Sequence, residues 1–238
     1  MTLTRKSEST AAWYPTPVAN LDDLLEKVIY RGTGFVRVYA LRKNLAYNLQ
    51  YLEFLDQIFQ DIKLSTVLTK QIYKNFVIVG CSIIESLLAY LLIKSDNYKM
   101  TQWELDCVMP GQEKNFDGEK TRIDCHVYKK LTSKKRQEMD FDAMIKKAES
   151  KRILGSDHSI YAKLQYLRRL RNKVHLHVID KPADTDWNAF EHRHLCDMAQ
   201  VIHAVFTSAI FRPSQQERSY FSYLEHYTAQ HLDTQEDF

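Results

Sequence analysis

Residues 171–177 combine side chains that can bind a phosphate and transfer a proton. The segment reads RNKVHLH, so Arg171 and Asn172 are followed closely by His175 and His177. Arginine can hold two phosphate oxygens through parallel hydrogen bonds. Histidine titrates near neutral pH and can act as a general acid or base. The residue types therefore suit chemistry at a phosphate group that requires no metal ion.

The segment lies toward the end of a predicted amphipathic helix, which Ser156-Asp157 can cap and which is expected to end near residues 180–182. Its apolar residues recur at steps of three and four and form one stripe: Ile160, Leu164, Leu167, Leu170, Val174 and Val178. At about 100° per residue, Arg171 falls inside this stripe. A buried guanidinium needs an anionic or hydrogen-bonding partner.

A second predicted helix contains the best candidate for that partner. Residues 76–93 form an 18-residue apolar run in which the polar side chains are Ser82, Glu85 and Ser86. The length of this run also fits a membrane span. A central carboxylate is unfavourable in a bilayer, and the other helices are amphipathic, so the pattern favours the core helix of a bundle without a membrane. We expect Glu85 to lie within hydrogen-bonding distance of Arg171 or of residues 172–177.

Composition and patterning predict an all-α fold. The 238 residues include only 6 glycines and 5 prolines, and the net charge of +3 is too small to identify a partner. We expect a flexible N-terminal arm over residues 1–20 and a single helical domain over residues 21–231. A loop-rich, irregular insertion is expected at residues 97–133, with a short helix at 101–108. An exposed, charged helix is expected at 133–151, and a last helical segment is expected at about 215–230.

The cysteine and histidine spacings indicate neither a disulfide framework nor a metal site. The cysteines are widely separated: Cys81, Cys107, Cys125 and Cys196. Together with an N-terminal region that lacks an apolar signal, they predict free thiols in a cytoplasmic protein. The spacing of Cys107, Cys125 and His126 matches no zinc finger, and His192 and His194 lie on a predicted helix. We therefore expect no metal and no other cofactor.

The Glu85 helix and the later Arg171 helix together resemble the HEPN superfamily. Members of that family are small α-helical bundles with a motif of Arg, four to six residues and His. Arg171, Asn172 and His177 fit this motif, with five residues between Arg171 and His177. The resemblance covers roughly residues 36–210. The commonest spacing in the family would place the histidine at position 176, where this chain has leucine.

The resemblance implies a metal-independent endoribonuclease that acts as a homodimer in a toxin or antiviral-defence role. RNA cleavage would proceed by attack of the 2′-hydroxyl, with Arg171 stabilising the phosphate and a histidine transferring protons. Asn172 would orient the phosphate or the histidine, and Glu85 would hold Arg171. Because one helix does not easily supply both acid and base, two such helices are expected to meet across a two-fold axis. An antitoxin or regulatory protein is a further possible partner.

Several alternatives remain open from the sequence. Motif spacing favours His177, whereas ideal helical geometry places His175 on the same face as Arg171. The Glu85–Arg171 pair could be purely structural, and the chain could be a non-catalytic HEPN-like module that binds RNA or a protein. The basic segment at residues 129–136 suits either a solvated face or RNA phosphates. The C-terminal tyrosines suit packing or a dimer surface better than base stacking.

Overall fold

Helices form most of the chain outside residues 97–140. The structure is a computed structural model, and it describes residues 4–5, 13–174 and 185–229. The chain divides into two units, one formed by residues 1–96 and 141–238 and the other by Asn97–Asp140. The longer helices of the first unit are α1 (Val18–Glu26), α2 (Val38–Asp61), α3 (Thr66–Lys94), α4 (Phe141–Ser150), α5 (His158–Arg171) and α7 (His192–Phe206). The short ones are α6 (Asp186–Ala189), α8 (Gln215–Ser219) and α9 (Glu225–Ala229).

Helix α3 is the core helix of the first unit. It packs against α2, α4, α5, α6 and α7. Gly80 of α3 faces Met198 of α7 so closely that an added Cβ would lie 2.5 Å from the Met198 Cγ atom. Among the described helices, α3 alone is long and apolar enough to cross a membrane, and 61% of its most apolar window is buried by the rest of the protein. This burial is what the apolar run requires as a core element.

Helix α5 begins at its predicted cap and ends earlier than predicted. Asp157 accepts a 2.9 Å hydrogen bond from the backbone N–H of Ser159, which satisfies a free donor of the first turn. The stripe residues Leu164, Leu167 and Leu170 are buried. The α-helix ends at Arg171 and is followed by a 3-10 turn over Asn172–Val174. The tighter turn leaves Val174 exposed, so the apolar stripe does not continue through it.

The prediction of a purely α-helical fold is wrong, and so is that of an irregular insertion at residues 97–133. The second unit contains β3 (Met100–Met109), β4 (Lys114–Phe116), β5 (Glu119–Thr121) and β6 (Cys125–Arg136). Strand β3 pairs antiparallel with β6, and β4 pairs antiparallel with β5. A long ribbon and a short terminal hairpin therefore replace the expected loop and its helix at 101–108.

The turn between β4 and β5 explains why this segment pairs with itself. Asp117 has φ 49° and Gly118 has φ 82°. Two successive residues with positive φ form the tight hairpin turn whose twist matches that of antiparallel strands, and Asp-Gly is one of its preferred sequences. Trp103 and Leu105 also alternate with Glu104 and Asp106, as a strand requires. These period-two signals outweigh the helical interpretation.

Two further boundaries differ from the sequence interpretation. The charged helix expected at 133–151 begins only at Phe141, because residues up to Arg136 belong to β6. The C-terminal segment is divided into α8, a 3-10 turn (Ser222–Leu224) and α9.

Near the N-terminus, β1 (Thr4–Arg5) pairs with β2 (Ile62–Lys63). The remainder of the expected arm, up to residue 12, lies outside the described residues.

Candidate active site

Arg171 and Glu85 form an ion pair that joins α5 to α3. The Nη1 atom of Arg171 lies 2.6 Å from Oε2 of Glu85. The side chains retain 31% and 26% of their exposure, respectively, so the pair lies at the edge of the core. The opposite charges offset the cost of removing each group from water. This contact confirms the prediction that Glu85 finds its donor on the Arg171 helix.

The guanidinium of Arg171 is also held by an aromatic ring and by its place on the helix. Its Cζ atom lies 5.9 Å from the ring centroid of Phe141, the first residue of α4. A cation at this distance is attracted to the electron-rich ring. The negative end of the helix dipole also favours a cation in the last turn of α5. The buried neighbour Leu170 anchors this turn to the core.

A second ionic cluster lies one turn earlier on α5. The Nη2 atom of Arg168 is 2.8 Å from Oδ1 of Asp142, and Nζ of Lys146 is 2.6 Å from Oδ2. The hydrogen bond from Lys146, assisted by the charge of Arg168, holds the pKa of Asp142 below its usual value. The start of α4 therefore offers a ring to Arg171 and a carboxylate to Arg168. Sequence reasoning singled out neither Phe141 nor Asp142, since no local pattern links them to α5.

Cys81 lies one helical turn before Glu85 and is buried. Burial raises the pKa of the Cys81 thiol to about 12, although the charge of Arg171 acts in the opposite direction. The thiol is therefore protonated at neutral pH, and a protonated thiol is a poor nucleophile. Cys81 is a packing residue beside the ion pair.

Asn172 follows Arg171 and caps the C-terminus of α5. Its backbone N–H donates to the carbonyls of Arg168 and Leu170, and its side chain is exposed. His175 and His177 lie outside the described residues, so the assignment of the catalytic histidine stays a prediction. The structure therefore brings Arg171 and Glu85 together, and exposed Asn172 directly follows Arg171 in the chain.

A small cleft lies between α2 and α3. Its volume is about 110 Å³, and its lining includes Asn44 and Asn48 from α2 with Ser82 and Ser86 from α3. Ser86 follows Glu85 directly, and Ser82 lies about one turn before it. The four polar side chains line this cleft together with Leu41, Leu45 and Ile83.

The histidines at the start of α7 have structural partners. The backbone N–H of Glu191 donates to Nδ1 of His194 over 3.0 Å, and Nε2 of His194 lies 2.9 Å from the Tyr166 hydroxyl. Burial lowers the pKa of His194, and the positive charge of Arg193 adds to this effect. His192 packs against the ring of Tyr73, with centroids 5.6 Å apart. Both positions lie on a helix, as predicted.

Other candidate ligands do not gather into a cluster within the described part of the chain. There, no group of three or more His, Cys, Asp or Glu side chains is arranged to hold a metal ion. Cys107 and Cys125 are exposed free thiols on β3 and β6. Their cross-strand partners are Val127 and Met109, respectively.

Comparisons with known proteins add no relationship to these observations. No protein-family profile, curated protein or solved structure matches the chain.

Proposed function

We propose that this chain is a metal-independent endoribonuclease of HEPN type that acts as a homodimer. Its substrate is RNA, and the 2′-hydroxyl attacks the adjacent phosphate to leave a 2′,3′-cyclic phosphate. Arg171 binds the phosphate oxygens and stabilises the charge that develops in the transition state. His177, or His175 in its place, transfers the proton, and Asn172 orients the phosphate or the histidine.

The observation that carries this proposal is the environment of Arg171. Glu85 and Phe141 fix its guanidinium, yet the side chain remains partly exposed at the surface. A guanidinium has five N–H donors, more than one carboxylate can occupy. Among the described residues, Glu85 is the carboxylate paired with Arg171, so the guanidinium is positioned in advance and keeps donors for an anionic ligand, the arrangement that stabilises charge in a transition state.

The dimer follows from the number of proton-transfer groups that the reaction needs. Cleavage requires a base for the 2′-hydroxyl and an acid for the leaving 5′-oxygen. A two-fold axis that brings two Arg171 helices together supplies both from identical segments. A role as a cytoplasmic toxin or antiviral effector, restrained by an antitoxin or regulatory protein, completes the proposal.

Cleavage of total RNA in the presence of EDTA tests the activity. The wild-type protein is expected to cleave, and Arg171→Ala to lose about 10²- to 10³-fold in rate, as when one transition-state hydrogen-bond donor is removed. Arg169→Ala is the matched control, because it removes the same charge from an exposed position on the same helix. Equal loss in both variants would indicate a general charge effect. Full activity of Arg171→Ala would refute the proposed site.

Two histidine variants assign the proton-transfer group. His177→Ala is expected to lose about 10²- to 10⁴-fold in rate, and His175→Ala to lose less. If His175→Ala alone is inactive, the activity stands and the residue assignment moves to His175. Wild-type protein that binds RNA without cleaving it would instead identify a non-catalytic module.

A further inference from the structure

The ribbon formed by β3 and β6 carries aromatic and basic side chains on one face. Residues directly opposite each other in a ribbon share a face, and alternate residues along a strand return to it. Trp103 is opposite Lys130, and Leu105 is opposite Tyr128. One extra residue in β3 shifts the register after Leu105, but β6 continues its alternation. The aromatic face therefore consists of Trp103, Leu105, Val108, His126, Tyr128 and Lys130.

The large side chains of the aromatic face are open to solvent. Trp103 is 52% exposed, Leu105 48%, Val108 46% and Tyr128 54%. An isolated two-stranded ribbon is only marginally stable in water, and a contiguous exposed apolar patch marks an interaction site. This face therefore has the properties of an interaction surface.

The charge on the ribbon indicates an anionic partner. Strand β6 contains five lysine and arginine residues and no carboxylate, whereas β3 contains two carboxylates and no basic residue. Lys135 pairs with Glu104 and lowers the pKa of that carboxyl group. Lys130 differs in that the residue opposite it on β3 is Trp103. Lysine is depleted in the cores of protein–protein interfaces, so a lysine among exposed rings favours a nucleic acid over a protein.

We propose that the aromatic face binds single-stranded RNA. Trp103 and Tyr128 are diagonal neighbours on adjacent strands, roughly 7–8 Å apart, so two bases can stack on separate rings. Lys130 contacts the phosphates between them. This inference rests on the proposed function, since it states how an RNA substrate is held before cleavage.

The test uses the full-length protein and a fluorescently labelled RNA oligonucleotide of about twelve nucleotides, within the range of single-strand site sizes. Each nucleotide carries a 2′-O-methyl group, which removes the attacking hydroxyl and separates binding from cleavage. Anisotropy titrations in EDTA give the dissociation constant. Trp103→Ala is expected to weaken binding roughly five- to hundredfold, as loss of one base–aromatic contact implies. Trp103→Phe is expected to retain most of the affinity, since it keeps an aromatic ring.

Two lysines provide the matched comparison of charge. Lys130→Ala removes a charge from the aromatic face, and Lys129→Ala removes the same charge from the opposite face. The Lys130 variant is expected to bind more weakly than the Lys129 variant and to show a smaller salt dependence, by about 0.7 in the log–log slope. Equal effects at both positions would overturn the assignment to one face.

The result also separates this inference from the nuclease proposal. Wild-type affinity in both Trp103→Ala and Lys130→Ala would overturn the inference, whether or not the protein cleaves RNA. Face-dependent binding by a protein that never cleaves would uphold the inference and reject the nuclease. If Trp103→Ala instead dissociates a dimer in sedimentation experiments while RNA binding is unchanged, the face is a protein interface and the inference fails.

Discussion

The carboxylate Oε2 of Glu85 lies 2.6 Å from Nη1 of Arg171. This contact joins the core helix α3 to the last residue of α5, so the position of Arg171 depends on the packing of the bundle. Because each side chain is more than two-thirds shielded from water, removal of one charge leaves the other partly desolvated. The contact therefore links the stability of the fold to the geometry of the proposed site.

A double-mutant cycle measures this link. Glu85→Ala and Arg171→Ala are each expected to lower the free energy of unfolding by about 1–2 kcal/mol, because each leaves a half-buried charge without its partner. The double variant is expected to lose less than the sum, with a coupling of about 1 kcal/mol. Urea denaturation provides the measurement. Glu104→Ala is the control, because Glu104 and Lys135 are 49% and 47% exposed and such surface pairs contribute little. Strictly additive losses of unfolding free energy in the Glu85 and Arg171 variants would show that the contact contributes no coupling energy.

Mixed dimers test whether the proposed site is shared between subunits. Wild-type and His177→Ala proteins are mixed in equal amounts, unfolded and refolded, so that about half of the dimers are mixed. Because the proposed site takes its acid and its base from the two subunits, a mixed dimer lacks one proton-transfer group and is expected to be inactive. The mixture is then expected to retain about a quarter of the wild-type rate. A mixture that retains about half of the rate would place both groups in one subunit.

His194 is expected to be neutral in the folded protein, with the proton on Nε2. The backbone N–H of Glu191 donates to Nδ1, so this nitrogen must be unprotonated. Burial lowers the pKa of His194, so its contribution to stability is present above the ordinary histidine value of 6.5 and is lost as the pH falls below it. Nitrogen NMR of the imidazole is expected to show the Nε2–H tautomer at pH 7. A titration midpoint at or above 6.5 would contradict the contact.

Tyr227 is expected to anchor the C-terminal helix through Asp56. Its hydroxyl donates a 2.5 Å hydrogen bond to Oδ1 of Asp56, and burial raises the pKa of this carboxyl group. Tyr227→Phe is expected to cost about 1–3 kcal/mol of unfolding free energy, because it removes the donor. The hydroxyl of Tyr223 is buried without a hydrogen-bond partner among the described residues, so Tyr223→Phe is a control that costs little.

The hydrogen bond between Tyr227 and Asp56 also predicts that the stability lost in Tyr227→Phe depends on pH. A raised pKa means that Asp56 contributes most stability below its ordinary value of 3.8 and that this contribution is lost as the pH rises through the raised value. Loss of the Tyr227 hydroxyl makes the charged form of Asp56 still less favourable, because that hydrogen bond stabilises the carboxylate. The cost of Tyr227→Phe, measured by urea denaturation, is therefore expected to be larger at pH 7 than near pH 4. An equal cost at both pH values would show that Asp56 does not change its protonation between them.

Local patterns were sufficient for the helices that position Arg171. The leucine stripe of α5, its Asp157 cap and the apolar run of α3 each follow from the physics of a single helix. The need for a partner predicted the Glu85–Arg171 contact, because a carboxylate in an apolar run must find a donor. Local patterns could not predict that Phe141 lies near Arg171. Its distance to Arg171 depends on how α4 packs beside α5.

The β3–β6 ribbon was mispredicted although its sequence contains signals for a hairpin. Asp117-Gly118 and the alternation around Trp103 favour a hairpin, but few glycines and many helical periods favoured an all-α chain. Strand pairing is decided by a distant segment of sequence, since β3 has no hydrogen-bond partners until β6 lies beside it. The wrong prediction therefore concerned residues 97–133, the segment whose structure depends most on non-local contacts.

The sequence by itself determined the periodic helices, the cap of α5 and the requirement that Arg171 and Glu85 be paired. These properties depend on neighbouring residues and on the cost of an unpaired charge, both of which can be judged along the chain. Only the tertiary structure decided that Phe141 approaches Arg171, that Asp142 pairs with Arg168 and that Trp103 shares a face with Lys130. Each of these relationships joins segments far apart in sequence, and side chains from such segments meet only when packing and strand register bring them together.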